Sequence, residues 1–439
     1  MLESIHLKNV GPAAEMKLDL ASRLNLITGD NGLGKSFLLD VAWWALTRKW
    51  PKDLNANLTS GYAARPTHVK EAASITLKVR GKAGASVEYE SPYVPIVQAW
   101  RGKQGRPWNP GLVLYALADG AFAVWDPHRN YWRTERGVDV QERMPAYVFS
   151  NMEVWDGLDV EIDGKLTRVC NGLLADWASW IRERGKDAQR MAAVLALLGP
   201  SVGDKTLEPG AGFARLSVDD ARDIPTVRLG YGQDVPILYA SLGVRRITAL
   251  AYMLSWAWRE HVIAAAQLGE PPSSRVVLIF DEIEAHLHPR WQRAIVPALL
   301  EVVQTLTADE SASVQLIAAT HSPLVLASVE PSFDTESDKL FALDFVDGAV
   351  SLRELPWAKQ GDVINWLVSD SFGLRQGRSI EAERAIEAAE AWMRDDRASL
   401  PPELATQEAI HAELQRVLPG HDPFWPRWVV SAEKGRTDP

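Results

Sequence analysis

Short apolar runs and amphipathic segments alternate along the chain. Residues 2–10 (LESIHLKNV) alternate apolar and polar side chains, which is typical of a half-buried strand. Residues 24–28, 275–280 and 314–319 are nearly continuous apolar runs, and such runs are typical of parallel strands buried on both faces. Segments with helical spacing follow two of these runs, at residues 35–49 and 291–306. We therefore predict an α/β domain.

The rest of the pattern predicts smaller elements around this sheet. Residues 75–135 contain four short strand-like segments separated by turn residues, which we expect to form an antiparallel sheet beside the first strands. Residues 170–198 and 244–264 have helical spacing, and Ile247, Ala251, Leu254 and Trp258 lie on one face of the second helix. Two weaker strands follow residue 323, and residues 380–397 predict a charged helix.

Composition limits the function classes. The chain has 439 residues and a net charge of −10, which argues against a protein that coats nucleic acid over its whole surface, although a local basic groove is compatible with it. The single cysteine, Cys170, excludes an internal disulfide. The first ten residues lack a secretion-signal pattern, and the longest apolar stretch, residues 247–258, is too short to span a bilayer. We expect a cytoplasmic protein without a membrane segment.

A glycine-rich segment with the pattern G-x-x-x-x-G-K-[ST] follows the first apolar run. Its glycines allow backbone N–H groups to point at phosphate oxygens, and the start of the next helix adds a partial positive charge. Lys35 is expected to bridge the β- and γ-phosphates of a nucleotide, and Ser36 to bind Mg²⁺. The predicted cofactors are ATP and Mg²⁺. The predicted nucleotide-binding residues of this segment are Gly29, Asp30, Asn31, Gly32, Leu33, Gly34, Lys35, Ser36 and Phe37.

Polar motifs also follow the other two apolar runs. Asp281 is predicted to hold Mg²⁺ and Glu282 to polarise the attacking water, because the carboxyl end of a buried parallel strand meets the phosphate site in such folds. Taken alone, the same pair also fits an ordinary strand end. His321, within residues 320–323 (THSP), is predicted to contact the γ-phosphate, although an ordinary loop histidine also fits this position.

A fourth motif, residues 240–246 (ASLGVRR), opens the long amphipathic helix. Ser241 and Gly243 lie at its N-terminus, where free N–H groups and a hydroxyl form an anion site. One chain does not need two such sites for one nucleotide, so we predict that Ser241 and Gly243 bind the ATP of a second copy. A simple helix cap at Ser241 is the open alternative.

The order of these motifs resembles that of ABC-type ATPase heads, and more closely the OLD-type and RecF-like branch of the AAA ATPases. The segments 284–289 (EAHLHP) and 369–390 extend the resemblance. It implies that Glu282 is the general base, that Lys35 and His321 complete the catalytic set, and that residues 284–288 line a dimer contact. Glu284, His286 and His288 also fit a metal site, which remains an alternative.

The resemblance implies an α/β fold of the ABC-type P-loop class. It comprises a mixed central sheet with flanking helices, an antiparallel β lobe, a helical insertion and a helical C-terminal region. We place the N-terminal part of the head at residues 1–150, a mainly helical insertion at 151–222, the C-terminal part of the head at 223–360, and the C-terminal helical region with its tail at 361–439.

Two features depart from the family pattern. The signature is S-L-G-V-R-R rather than L-S-G-G-Q, which weakens the prediction of shared phosphate contacts between copies. The glutamine of the Q-loop has two candidate positions, Gln141 and the turn at Ser150 and Asn151.

The residues after the histidine motif contain no D-x-D and no H-N-H nuclease pattern. A head of this kind with the tail FWPRW (424–428) resembles the ATPase subunits of Septu-type and retron-associated anti-phage systems, which pair with an HNH nuclease. The resemblance implies an ATPase that forms a head-to-head dimer or higher oligomer and regulates a partner nuclease in bacterial anti-phage defence. Two alternatives stay open: a DNA-repair or recombination head that acts on DNA directly, and an ATP-gated scaffold that sequesters a toxin with little turnover.

Overall fold

The computed structural model describes residues 1–81, 84–103, 108–135, 138–140, 143–199, 206–309 and 311–434. The chain divides into two compact units, Met1–Gly361 and Asp362–Pro439. Among the described residues, no helix combines the length and the apolar character that crossing a membrane requires.

The secondary-structure elements follow one another in an order typical of neither an all-α nor an all-β protein. The strands are β1 (Leu2–Lys8), β2 (Glu15–Asp19), β3 (Leu24–Gly29), β4 (Ser74–Arg80), β5 (Ser86–Val94), β6 (Ala99–Trp100), β7 (Leu112–Ala116), β8 (Phe122–Trp125), β9 (Arg133–Glu135), β10 (Val138–Val140), β11 (Tyr147–Phe149), β12 (Leu158–Ile162), β13 (Lys165–Cys170), β14 (Glu208–Ala214), β15 (Ile224–Arg228), β16 (Asp234–Pro236), β17 (Arg275–Phe280), β18 (Ser313–Ala319), β19 (Asp338–Val346) and β20 (Ala349–Leu355). The helices are α1 (Lys35–Thr47), α2 (Pro51–Leu54), α3 (Asn151–Asp156), α4 (Leu173–Glu183), α5 (Lys186–Leu198), α6 (Leu242–Leu268), α7 (Pro289–Gln292), α8 (Ile295–Thr307), α9 (Pro323–Val329), α10 (Val363–Leu367), α11 (Ile380–Met393), α12 (Gln407–Val417) and α13 (Trp425–Lys434).

A mixed central sheet carries the site. Within the described residues it has eight strands in the order β11-β8-β7-β17-β18-β3-β19-β20. The strands from β7 to β19 in this order run parallel, whereas β8, β11 and β20 at the two edges pair antiparallel. Helix α1 packs against β3, β17 and β18, and the carboxyl ends of these three strands meet at one edge of the sheet. The predicted α/β class is confirmed.

The four strand segments predicted between residues 75 and 135 are divided between two sheets, so the prediction of one antiparallel sheet was wrong. Strands β4 and β5 join the lobe, which has the order β2-β1-β4-β5-β6. Strands β7 and β8 belong to the central sheet, where β7 runs parallel to β17. The burial pattern gives the reason. All five residues of β7 are buried, as in a central parallel strand, whereas the first residues of β5 alternate between exposed and partly buried.

The segment predicted as a mainly helical insertion also contains β structure. Helices α4 and α5 are separated at Arg184, which has a φ of 52°, and Gly185. Strands β12 and β13 form a hairpin whose turn residues, Asp163 and Gly164, have φ values of 52° and 75°. Two consecutive positive φ values are those of a type I′ turn, which favours the Asp-Gly pair. Strand β14 then pairs with β15.

The helix predicted at residues 291–306 is interrupted, so that prediction was also wrong in detail. The structure has the short α7 and then α8, which begins at Ile295. Pro297 explains the break, because proline has no N–H to donate and its ring clashes with the carbonyl four residues earlier in a continuous helix.

The second unit, from Asp362 onward, is helical within its described residues. Helices α11 and α12 pack together, and their buried core includes Ile386, Ile410, Leu414 and Trp428. Helix α11 begins at Ile380 and ends at Met393, four residues before the predicted end.

Candidate functional site

The glycine-rich loop connects β3 to α1. Gly29, Gly32 and Gly34 have φ values of 135°, 81° and 100°, a region that favours glycine. Gly29 is also required by close packing, because a Cβ atom there would lie 2.2 Å from the carbonyl oxygen of Leu343 in β19. The loop conformation therefore depends on its glycines for both backbone angle and space.

The other loop residues differ in exposure. Asp30, Asn31 and Ser36 are exposed, whereas Leu33 and Phe37 are half-buried and pack against the hydrophobic core. The nucleotide contact predicted for Phe37 stays a prediction, and its ring has a packing role.

Lys35 is buried at the start of α1, with 6% of its surface exposed. Its Nζ donates to the carbonyl oxygens of Gly29 at 2.8 Å and Asp30 at 2.7 Å. Burial lowers the pKa of Lys35, while the negative charges of Asp281, Asp30 and Glu282 oppose this shift. The loop lysine and the two carboxylates that follow β17 therefore form one electrostatic cluster.

Asp281 lies at the end of β17 and is 4% exposed. Its backbone N–H donates to the Ala116 carbonyl at 2.9 Å, which fixes it beside β7. Burial raises the pKa of Asp281, and a hydrogen bond with the Ser36 hydroxyl lowers it. The Oδ1 atom of Asp281 is buried and has no protein partner. A buried carboxylate oxygen without a donor, beside a hydroxyl, fits the oxygen ligands that Mg²⁺ prefers.

Glu282 is half-buried and adopts a φ of 47°, in the left-handed region that side chains other than glycine seldom occupy. The next residue, Ile283, donates its N–H to the Ala319 carbonyl at 3.2 Å and so holds the turn against the end of β18. Strained backbone of this kind clusters at functional sites, where the surrounding structure fixes it.

Glu284 connects this turn to the loop that carries His321. One carboxylate oxygen accepts a hydrogen bond from the Thr320 hydroxyl at 2.7 Å, and the other accepts from the His321 backbone N–H at 2.5 Å. Thr320 in turn donates its N–H to the Ile27 carbonyl in β3 at 3.0 Å. The motif after β17 is thus joined by hydrogen bonds to the motif after β18. The sequence did not predict that Glu284 makes these contacts within its own chain.

The His321 imidazole is partly buried. Burial is the largest cause that lowers its pKa, and the nearby Lys35 ammonium lowers it further. The ring is therefore neutral at pH 7 and can either donate or accept a hydrogen bond.

Arg246 in α6 is a second residue that sequence reasoning missed. Its guanidinium donates to the Ala118 carbonyl at 2.9 Å and to the Asp281 carbonyl at 3.5 Å. Burial lowers the pKa of Arg246, and the charges of Glu282 and Asp281 oppose this. The paired arginines of the ASLGVRR motif were a signal, but their contact with Asp281 depends on tertiary structure.

The residues predicted to reach a second copy differ in exposure. Ser241 is exposed and caps α6, its hydroxyl accepting from the Val244 N–H at 3.4 Å. Gly243 is buried, and a Cβ atom there would lie 2.7 Å from the His286 carbonyl oxygen of the same chain. The glycine is therefore required within one chain by packing, whatever its contacts with another.

Asp40 in α1 is a further, partly buried group near the site. Its carboxylate accepts a hydrogen bond from the Tyr115 hydroxyl at 2.9 Å. Burial raises the pKa of Asp40 to about 7, and the nearby negative charge of Asp281 adds to the shift.

The candidate positions for the Q-loop glutamine are Gln141 and the turn at Ser150 and Asn151. Gln141 lies outside the described residues. Ser150 caps α3 in a capping box with Glu153, and Asn151 donates to the Asp119 carbonyl at 3.1 Å. Among the described residues, no group of three or more His, Cys, Asp or Glu side chains is arranged to hold a metal ion.

Comparison with protein families gives one match over most of the chain. The family described as "AAA domain, putative AbiEii toxin, Type IV TA system" matches residues 24–327. The chain belongs to this family. The matched range of this AAA domain includes every predicted site residue, from Gly29 in the loop to His321. The protein is therefore an ATPase of the AAA type.

A curated relative matches over a shorter range. The "Retron Vc95 probable ATPase" of Vibrio cholerae serotype O1 biovar El Tor is 34% identical over 98 residues, which is 22% of this chain and 17% of the relative. The match thus spans about a sixth of the relative's length.

Solved structures of ATPase heads align over most of the AAA-family chain at low similarity. The Smc head bound to the C-winged helix domain of ScpA has a TM-score of 0.41 and 14% identity, covering 82% of this chain and 98% of that one. The SMC head domain from Thermotoga maritima has a TM-score of 0.37 and 14% identity, with 81% and 99% covered. The recombination mediator RecF has a TM-score of 0.34 and 14% identity, with 81% and 98% covered.

Proposed function

We propose that the protein binds and hydrolyses Mg·ATP, assembles head to head and regulates a separate effector, a nuclease, in anti-phage defence. The observation that carries the ATPase step is the meeting of Lys35, Asp281, Glu282 and His321 at one edge of the central sheet. These residues follow three different strands, β3, β17 and β18, and electrostatic interactions link all four.

In this proposal each residue has a distinct task. The loop N–H groups and Lys35 bind the phosphates, and Ser36 with Asp281 holds Mg²⁺. The metal ion would neutralise charge on the phosphate oxygens. Glu282 orients and deprotonates the attacking water. The neutral His321 ring contacts the γ-phosphate and reports its presence, because Glu284 fixes its backbone. Catalysis then depends on positioning and charge stabilisation.

Assembly is supported by the surface at the start of α6. Ser241 is exposed beside Leu242, which is 60% exposed, and Tyr239 nearby is 67% exposed. A polar hydroxyl flanked by exposed apolar side chains suits contact with another protein surface. We propose that Ser241 meets the ATP of a second copy there, and that Gly243 supports this contact from beneath.

The effector and the defence role rest on the relative. The name of this relative associates an ATPase with a retron, and the sequence motifs resemble those of nuclease-paired ATPases. That this chain regulates a nuclease is the more specific part of the proposal.

Glu282→Gln tests the ATPase step, because it retains the shape of the side chain but removes the base. Loss of a general base typically costs about 10²–10⁴-fold in rate. We expect turnover to fall by at least about 100-fold, while binding of a fluorescent ATP analogue stays within threefold. Glu301→Gln is the matched control, since Glu301 is exposed in α8.

Assembly and effector control have separate readouts. Mass photometry of Glu282→Gln with Mg·ATP is expected to show a trapped dimer or higher oligomer, and Ser241→Ala is expected to weaken it. Unchanged turnover in Glu282→Gln would refute the base assignment. A chain that remains monomeric at saturating ATP would refute the shared site. The products of neighbouring genes should copurify with the chain. If a copurified nuclease had the same activity with and without ATP, effector control would be refuted.

A further inference from the structure

A cavity of about 160 Å³ lies behind the turn that follows β17. Its walls come from the first turns of α6, from the turn between β7 and β8, and from α3. The apolar part of the wall includes Phe280, Leu287, Leu250 and Trp155. This cavity is separate from the phosphate loop, which contributes no residue to its lining.

Two guanidinium groups line the same cavity. Arg245 lies with its guanidinium carbon 5.1 Å from the centre of the Trp155 ring, and its Nε atom is buried without a hydrogen-bond partner. Arg246 uses its donors on the backbone carbonyls of Ala118 and Asp281. No carboxylate of the described residues forms an ion pair with Arg245 or Arg246.

One carboxylate does line the cavity, that of Asp119. It accepts hydrogen bonds from the Thr59 hydroxyl at 2.5 Å and the Ser60 hydroxyl at 3.4 Å, and its side chain is exposed. Asp119 therefore already has partners outside the cavity. A buried donor on an uncompensated guanidinium is costly, and an anion is the group that satisfies it best.

The size of the cavity limits the rest of the ligand. An apolar cavity of about 150 Å³ accommodates a benzene ring. We propose that this cavity binds a small carboxylate with one aromatic ring or branched apolar group. The apolar group lies among Phe280, Leu250 and Leu287, and the anion meets Arg245 beside Trp155.

Such a ligand would contact the turn that holds the proposed base. Ile283 lines the cavity and directly follows Glu282, and Arg246 contacts the Asp281 carbonyl. This effect rests on the proposed function. We expect a bound carboxylate to change the affinity for ATP at least threefold.

The test uses the purified full chain without nucleotide and 3-phenylpropionate as the probe, with binding followed by ligand-observed NMR and calorimetry. Arg245→Met keeps the apolar stem of the side chain but removes the charged guanidinium, and Ala249→Phe fills the cavity from α6, where Ala249 is buried. We expect each variant to raise the dissociation constant at least tenfold. The matched control is Arg290→Met, because Arg290 is exposed in α7.

The neutral probe 3-phenylpropan-1-ol separates the anion from the ring and is expected to bind at least tenfold more weakly. Equal binding of the two probes, or unchanged binding in both Arg245→Met and Ala249→Phe, would overturn the site. Unchanged ATP affinity with saturating probe would overturn the coupling. Because binding is measured without ATP, it reads out independently of the Glu282→Gln test of the ATPase proposal.

Discussion

Replacing Glu284 by glutamine tests whether this residue positions the histidine loop. The carboxylate accepts one hydrogen bond from the Thr320 hydroxyl and one from the His321 N–H. A glutamine of the same shape can offer its carbonyl oxygen to the His321 N–H and donate from its NH₂ group to the Thr320 hydroxyl oxygen. The change therefore converts two charge-assisted hydrogen bonds into neutral ones.

The magnitude follows from these two bonds. A hydrogen bond to a charged group contributes about 1.5–3 kcal/mol, and a neutral one about 0.5–1.5 kcal/mol. Because Glu284 is only partly buried, we expect a net loss of about 2 kcal/mol, which corresponds to about a 30-fold lower population of the ordered loop. The rate of ATP hydrolysis should fall about 10- to 30-fold. KM for ATP should change less than threefold, because Lys35 and the glycine loop stay in place.

The assay is steady-state ATP hydrolysis by the purified chain, together with urea unfolding. Thr320→Val removes the hydroxyl donor with little change of shape, although it also loses the bond that this hydroxyl accepts from the Ser322 N–H at 3.0 Å. The double variant with Glu284→Gln should cost less than the sum of the single variants. The exposed Glu301→Gln serves again as the control. Additive effects, or a loss that appears in KM alone, would refute the positioning role.

Three other predictions concern single positions. Glu282 has a φ of 47°, and a left-handed conformation costs an L residue about 1–2 kcal/mol. Glu282→Gly should therefore abolish turnover, yet its free energy of unfolding in urea should be about 1 kcal/mol higher than that of Glu282→Ala. Equal stability of the two variants would contradict a strained turn. Gly243→Ala should destabilise the chain by about 1–3 kcal/mol despite the better helix propensity of alanine, because its Cβ would lie 2.7 Å from the His286 oxygen; a gain in thermal stability would refute this packing. The pKa of Asp40 is raised from 3.8 to about 7, so the folded state retains a proton that the unfolded chain releases, and the stability from this group is full below pH 4 and lost as pH rises through about 7. Asp40→Asn should flatten the decline in the free energy of unfolding between about pH 4 and 7; identical pH profiles for the variant and the wild type would contradict the shift.

The centre of the site could be predicted from the sequence because its position depends on the topology of the sheet. Once residues 24–28, 275–280 and 314–319 were interpreted as buried parallel strands, their carboxyl ends had to meet, and the motifs that follow them had to meet as well. The contacts made by Glu284 could not be predicted in this way. They depend on left-handed backbone at Glu282 and His286, with φ values of 47° and 62°, and neither position carries the glycine that would have signalled it.

For other elements, the sequence contained the correct signal, but a stronger neighbouring pattern favoured a different prediction. Asp163 and Gly164 between alternating residues are a strong hairpin signal, yet the helical spacing of residues 170–198 dominated the interpretation of the segment. Pro297 likewise marked the break between α7 and α8. Strand β7 was assigned to the wrong sheet because a short apolar run does not identify its partner strand. Its partner, β17, lies 164 positions later in the sequence, as in the pair Leu112 and Val276.

Helix α6 joins two parts of the proposed mechanism that the sequence treated separately. Its first residues are exposed at Ser241, but Gly243 lies against the His286 carbonyl and Arg246 contacts the Asp281 carbonyl, both in the same chain. A helix fixed at these two points cannot reorient Ser241 without moving the turn that carries Asp281 and Glu282. If Ser241 binds the ATP of a second copy, each site is therefore mechanically linked to the contact its own chain makes in the other. Coupled ATP hydrolysis at the two sites, whether alternating or simultaneous, then follows from the rigidity of α6. No further structural element is needed to couple them.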